Sequence, residues 1–462
     1  MMRRKFALLL LAVAMIGNIT FTACGNKANT NTEDKKIETS DKKDIREINE
    51  ISTEELKKKI NEENVVIVDT RDQASYLGWT LHGEERGGHI EGAVDFPTSW
   101  LDKIEDINIE KSLEYKGIVK SKEIIIYDVD GKEKSKLADK LLSLGYKNVT
   151  VYKEGIKAWA QDKALPMDKL ARYDKLVHPQ WINALINGEK PETFENEKYV
   201  IVEVSWGDGK DYKEAHIPGA VHLDTGLIEE EPWWNIVSDK KIETVLTSLG
   251  IDKDTTVVLY GADSTAAARA ASVMMYAGVD DVRLMNGGFG AWTEAGLKTE
   301  EGTVEPNAVE SFGAKVPVHP EYIINTTEAK EILADTNAEL VSIRSWAEYI
   351  GETSGYTYIE PKGRIEGAVW GHAGSDPYHM EHFRNVDNTM RNYHEIEAFW
   401  KDWGITSDKK VSYFCGTGWR ASETFFYAHL IGWDDVSVYD GGWYEWSGDE
   451  SNPVEMGEPN KK

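Results

Sequence analysis

The sequence predicts an α/β protein made of three tandem copies of one unit, each a mainly parallel sheet with helices on both faces. Three observations predict it. Short continuous apolar runs, of the kind that form buried parallel strands, alternate with helical stretches. Apolar runs ending in an aromatic residue, at 124–127, 257–260 and 411–414, lead into Asp128, Gly261 and Cys415, and 27 positions after each stands a glycine: Gly155, Gly288 and Gly442. Four residues beyond each glycine comes a tryptophan, Trp159, Trp292 or Trp446. Matched landmarks at equal spacing in three places mark an internal repeat. The chain has 462 residues, and at about 150 residues per domain that length also suits three domains.

In chain order, Arg3, Arg4 and Lys5 precede an apolar run at 6–16, and Phe21-Thr22-Ala23-Cys24-Gly25 follows. The run is long enough for an export-signal core and too short to span a bilayer. The segment around Cys24 resembles a bacterial lipobox, which implies cleavage before Cys24, lipid attachment to its sulfur and a signal peptide over 1–24. Residues 25–49 are almost wholly polar and read as a disordered tether. The first unit, 50–170, opens with a capping box, Ser52 and Glu55, then a strand at 65–68 running into Asp69. The second, 175–310, opens with Val177-His178-Pro179 and has a strand at 200–202 running into Glu203; the third, 317–455, opens with Val318-His319-Pro320 and has a strand at 340–341 running into Ser342. Proline there fits a first-turn helix position. Each unit then has a turn before a short strand: Gly88-His89-Ile90-Glu91-Gly92-Ala93, His216-Ile217-Pro218-Gly219-Ala220, and Arg364-Ile365-Glu366-Gly367-Ala368. Helices are expected at 134–144, 266–277 and 421–431, and 300–315 reads as a linker.

Lys and Arg total 53 against 80 Asp and Glu, a net charge of −27. That excludes a phosphate-binding basic face and hence nucleic acid as partner. Two cysteines, Cys24 and Cys415, exclude a disulfide scaffold and a multi-thiolate zinc site. His372, His379 and His382 lie close in sequence without the pairing of a metal motif, so no metal and no cofactor are expected.

The landmarks resemble the rhodanese (sulfurtransferase) superfamily. Tyr212, His216, Ile217, Pro218, Gly219, Ala220 and Leu223 fit its early signature; Val436, Tyr439, Asp440, Gly441, Gly442, Trp443, Glu445 and Trp446 fit its late one; Cys415, Gly416, Thr417, Gly418, Trp419 and Arg420 fit its six-residue active-site loop. The layout is similar to exported three-domain members whose last domain alone carries the cysteine. The resemblance implies a five-stranded, mainly parallel sheet per domain and a Cys415 persulfide, with a sulfane sulfur moved from thiosulfate, or another small sulfur donor, to cyanide or a thiol. It also implies a cation for the substrate site at Arg344, just past the first strand of its unit.

The residues suit that chemistry. Gly416 and Gly418 allow a sharp turn whose amides, with the start of the following helix, favour negative charge on the Cys415 sulfur. Arg420 has the fork geometry for an anionic oxygen. Thr417 and Trp419 are expected to line the pocket. Units one and two lack a nucleophile and are expected to shape or cover the third unit's mouth. Related cysteine phosphatases space Cys and Arg by five residues, against four here. A 3-mercaptopyruvate sulfurtransferase, and a non-catalytic surface lipoprotein that binds a partner, are the alternatives. The expected location is outside the cell membrane, lipid-anchored to it, or periplasmic in a cell with an outer membrane.

Overall fold

The computed structural model describes residues 48–131 and 135–459. The expected leader, Cys24 and most of the tether lie outside the described residues. The first sheet is formed by β1 (Asn49–Ile51), β2 (Val65–Asp69), β3 (Val94–Asp95), β4 (Glu123–Tyr127) and β5 (Val149–Tyr152). The second has β6 (Leu176–Val177), β7 (Tyr199–Ser205), β8 (Val221–Asp224), β9 (Thr256–Tyr260) and β10 (Asp281–Met285). The third has β11 (Ile323–Ile324), β12 (Ala338–Ser342), β13 (Val369–Trp370), β14 (Lys410–Phe414) and β15 (Val436–Tyr439). Every pairing within these sheets is parallel. All three share one strand order, first–fifth–fourth–second–third.

Alternation along the strands explains the two-sided burial. In domain 1, Val66, Val68, Ile124 and Ile126 join one apolar cluster, while Ile67, Ile125 and Tyr127 join another. In domain 2, Val202, Val257 and Leu259 face one core and Ile201, Val258 and Tyr260 the other. In domain 3, Val341, Val411 and Tyr413 oppose Leu340 and Phe414.

The equal spacing of the landmarks has a mechanical cause. Gly155, Gly288 and Gly442 have φ of 64°, 59° and 56°. A Cβ there would meet the backbone of the turn after the fourth strand, at Asp130 Cα (2.6 Å), Gly261 O (2.7 Å) and Gly416 O (2.6 Å). Only glycine lets the last helix close on that turn. The tryptophan one turn later is buried, and its Nε1 donates to a backbone carbonyl: Trp159 to Pro166 at 3.0 Å, Trp292 to Lys298 at 2.9 Å, Trp446 to Pro453 at 3.0 Å.

The helix after the fourth strand is α1 (Lys136–Ser143), α2 (Ser264–Ala277) and α3 (Trp419–Ile431) in the three domains. Against expectation, α2 and α3 begin two residues earlier and α1 two residues later, where Asp263, Gly418 and Ser135 take the N-cap positions. In the third domain Pro320 opens only a 3₁₀ turn, Pro320–Tyr322. β11 intervenes, and the helix Thr326–Ala334 starts behind an Asn325–Glu328 capping box.

Domains 2 and 3 share one continuous core. Helices α2 and α3 pack together within it, with Ser272 Oγ and Ser422 Oγ 3.0 Å apart. Domain 1 is fastened to domain 3 by Asn392, the N-cap of helix Tyr393–Lys401. Its Nδ2 donates to Tyr76 Oη at 2.7 Å and to Asp95 Oδ1 at 3.0 Å, in a buried site. Asn392→Ala removes the cap and leaves Asp95 short of a donor. It should lower unfolding stability by about 1–3 kcal/mol, read as a lower urea midpoint at unchanged slope.

Candidate active site

β14 ends at Phe414 and α3 begins at Trp419, so the residues between form a strand-to-helix turn at the C-terminal edge of the third sheet. Such edges are where open α/β sheets hold ligands. Cys415 is fully buried there. The Gly418 amide donates to its Sγ at 3.2 Å. Gly418 has φ 103°, a conformation that favours glycine, and a Cβ would stand 2.8 Å from Arg269 Nη1 of domain 2. Gly416 lies flat against the Tyr356 ring, where a Cβ would collide with it. Trp443 and Tyr444 amides donate to the Cys415 and Gly416 carbonyls at 2.8 and 3.1 Å, bracing the turn from the late landmark helix.

Arg420 closes the turn with a fork onto Glu348: Nη1 to Oε2 at 3.0 Å and Nη2 to Oε1 at 2.9 Å. Its Nη2 also donates to Tyr356 Oη at 3.2 Å. Arg344 is fully buried and does not line the cavity beside the loop. Its Nε donates to Glu348 Oε1 at 3.3 Å, Nη1 to Gly363 O at 2.7 Å and Nη2 to Ser354 O at 3.3 Å. The expected substrate cation is thus placed as a partner of Glu348. Burial works to raise the Glu348 carboxyl, but the charges and hydrogen bonds of Arg420 and then Arg344 outweigh it and hold it at about 2. Two guanidiniums sharing one carboxylate leave a net positive charge beside the nucleophile.

The loop opens onto a cavity of about 590 Å³, within the size range of ligand pockets. Thr417 and Trp419 line it as expected; Arg420 lines it too, but the fork expected for a substrate oxygen is occupied by Glu348. The opposite wall comes from domain 2: Trp206, Glu229, Glu231, Pro232, Trp234, Asp263 and Thr265. The second unit therefore covers the third unit's mouth, whereas no residue of the first unit lines this cavity. Ser342 to Cys415 spans 73 residues, against 58 from Glu203 to Gly261 in the second unit, with the extra length around 346–363 and 371–392. Tyr356, Tyr358, Pro377 and Tyr378 come from these segments and complete the lining with Tyr444. Glu229 is buried and accepts from Trp419 Nε1 at 2.9 and 3.0 Å and from Arg269 Nε at 3.3 Å. Burial raises it to about 7 against the pull of Arg269 and Trp419. Burial likewise holds the Tyr356 phenol far above its ordinary value, so it stays an O–H donor, directed to Pro377 O at 3.4 Å.

Sequence reasoning did not find Tyr356, Glu229, Trp234 or Arg269. The extra length of the third-unit segments was a signal for the tyrosines, but the histidines in those segments are the more conspicuous residues. His372 and His382 rings sit 4.9 Å apart, stacked near Trp370 and Phe399, while His379 turns to Asp376 at 2.7 Å.

A family model described as Rhodanese-like domain matches residues 52–162, 183–295 and 325–449. Thiosulfate sulfurtransferase YnjE of Escherichia coli K12 is 44% identical over 402 residues, covering 86% of this chain and 91% of that protein. Sulfur carrier protein TtuD of Thermus thermophilus is 30% identical over 303 residues, covering 62% of this chain and 99% of that protein. Among solved structures, EanB in complex with ergothioneine has TM-score 0.86 and 41% identity over 90% of this chain and 100% of its own. Another EanB structure holds ergothioneine covalently linked with a persulfide cysteine. EanB variants in these structures alter a tyrosine 59 positions before that cysteine and a threonine two after it. From Cys415 those spacings reach Tyr356 and Thr417. Two further EanB cysteines lie 73 and 42 positions before it, spacings that from Cys415 reach Ser342 and Ala373.

The Glu348 pair predicts a pH signature. Its folded value, about 2, lies below the ordinary carboxylate value, so its stabilisation is complete above about pH 4.3 and is lost as pH falls towards 2. Glu348→Gln should flatten that acid limb. It should also destabilise the fold by about 3 kcal/mol at neutral pH, because two buried guanidiniums lose their counter-charge. Denaturant unfolding across acidic pH checks both.

Proposed function

The chain belongs to the rhodanese family of sulfurtransferases, and on that premise we propose that it carries a sulfane sulfur on Cys415 and delivers it to a cationic or zwitterionic heteroaromatic acceptor. Thiosulfate or a related sulfane compound is the donor. The observation that carries this reading is the cavity lining. Seven of its fifteen residues are aromatic and three are carboxylates, while its one arginine is already forked onto Glu348. Such a wall disfavours a small dianion as the sole ligand. It favours an organic cation, held by aromatic faces and opposite charge. Hercynine, the ligand of the EanB complexes, has that chemistry: a trimethylammonium group and an imidazole ring.

In the loading step the Cys415 thiolate attacks the outer sulfur of thiosulfate. The donor's S–S bond breaks and sulfite leaves with the bonding pair. In the transfer step a C–S bond forms between the acceptor ring and the outer persulfide sulfur. The persulfide S–S bond breaks, and Cys415 leaves as a thiolate beside the Gly418 amide and the Arg344–Arg420 charge. The ring carbon gives up its proton, and Glu229, held near neutrality in the cavity wall, is the residue fitted to receive it. Tyr356, a cavity residue whose hydroxyl has only a long bond to Pro377 O as donor, is the group fitted to turn to the ring nitrogen. The apolar leader that ends at Cys24 supports a place for this activity outside the cell membrane, held by lipid on that residue.

Intact mass after thiosulfate or polysulfide tests the reading. Wild type gains one sulfur and Cys415→Ser gains none, and hercynine then strips the sulfur with formation of ergothioneine. Sulfur released to cyanide but never to hercynine would favour a simple thiosulfate–cyanide sulfurtransferase instead, and no sulfur from any donor a binding protein. Glu229→Gln should slow transfer to the organic acceptor about 100-fold and remove the activity inflection near pH 7. That inflection arises because the raised carboxyl gains its charge only as pH passes about 7. Loading from thiosulfate should be unchanged.

A further inference from the structure

Each domain closes its sheet with a small antiparallel clasp that sets one residue of the turn before the third strand against an acidic residue near the domain's end. The pairs are His89 with Asp168, His216 with Glu300, and Arg364 with Glu455. In domain 3 the pair is a plain ion pair, Arg364 Nη2 to Glu455 Oε2 at 2.8 Å. In domain 2, His216 Nε2 stands 3.8 Å from Glu300. Only the first clasp, among the described residues, gains a third group of metal-ligating type. His394, on the first turn of helix Tyr393–Lys401 in domain 3, reaches Asp168 Oδ2 through Nε2 at 2.9 Å.

We propose that His89, Asp168 and His394 form a binding site for a divalent transition-metal ion at the seam between the first and third domains. One donor atom from each lies within 4.8 Å of the others. Two imidazoles and a carboxylate are a donor set suited to zinc and its neighbours, with positions left for water. His89 is fully buried, and its Nε2 has no hydrogen-bond partner among the described residues. Its Nδ1 donates to Tyr76 O at 2.8 Å, the backing bond that fixes a ligating histidine's tautomer and leaves Nε2 with a free lone pair. The ring is also locked by stacking on Tyr76, centroids 3.8 Å apart. Asp168 and His394 are partly exposed, with side-chain accessibilities of 36% and 46%, so both side chains have room to turn about an ion. The placement of His394 is built rather than incidental, because Asn392, two residues earlier, is tied to Tyr76 and Asp95 of domain 1.

Calorimetric titration of the purified protein with zinc chloride tests the site, with thiols blocked so that Cys415 does not compete. One equivalent should bind to wild type. His394→Ala and Asp168→Asn, both altering partly exposed side chains, should weaken it at least about tenfold while leaving the circular dichroism spectrum unchanged. Cobalt in place of zinc should give a d–d absorption band without thiolate charge transfer, and zinc should raise the melting temperature of wild type only. Absence of a one-equivalent zinc event in wild type, or the same event in both variants, would overturn the assignment.

Discussion

Arg269 is the residue on which the working end of the molecule turns. It stands on α2 of a domain with no nucleophile, is fully buried, and binds three groups at once. Its Nε donates to Glu229, and its Nη2 donates to Trp234 O and to Asp440 Oδ1 of domain 3. Its Nη1 lies under Gly418, the glycine whose amide holds the Cys415 sulfur. A buried guanidinium is tolerated when its charge is answered, and Glu229 and Asp440 answer this one although Nη1 has no hydrogen-bond partner among the described residues. Here the answers come from both domains, so the active-site turn, the cavity wall and the domain interface are one structure. The helix that carries Arg269 is suited to this. α2 is buried on nearly every side, and its run of alanines lets α3 approach until Ser272 and Ser422 touch.

The charges are arranged in two layers. Behind the turn, Arg344 and Arg420 share Glu348, and the surplus positive charge lies where a thiolate or persulfide anion resides. Across the cavity, the domain 2 wall presents Glu229, Glu231 and Asp263 among aromatic rings. An anion formed at sulfur is therefore favoured from one side, and a cationic acceptor from the other. Desolvation strengthens both effects, since the same burial that makes an unpaired charge costly makes a paired one stronger.

Much of this was legible in the chain. Parallelism and threefold repetition follow from apolar runs and from the glycine that must touch the turn after the fourth strand, a constraint local enough to leave equal spacings, whereas the strand order does not. The Cys415 loop was legible for the same reason, because six consecutive residues make it. What was not legible lies where distant segments meet. Arg344 has the position of a substrate cation, yet the acid four residues later, Glu348, turns it inward, and Arg420 joins the same acid from 72 residues away. Glu229 and Trp234 sit in a two-stranded ribbon of domain 2 with no motif of its own, and only the docking of α2 on α3 brings them to the cysteine. Periodicity reports which face a residue takes, not which neighbouring domain will cover it.

That docking also binds domain 2, which has no nucleophile, to the domain that has one. Ten residues of α3 are buried, among them Phe425, Phe426 and Tyr427, and the core they enter is shared with Val273, Met274 and Met275 of α2. Domain 3 alone would expose that apolar face, a cost comparable to the stability of a domain of this size, and would lose the Arg269–Asp440 pair. The turn after the fourth strand of domain 2 carries no nucleophile and serves as wall, with Asp263 lining the neighbour's cavity. The cover over the Cys415 turn and the interface that holds the two domains together are thus one structure, since the helix that follows Asp263 is the one that packs on α3.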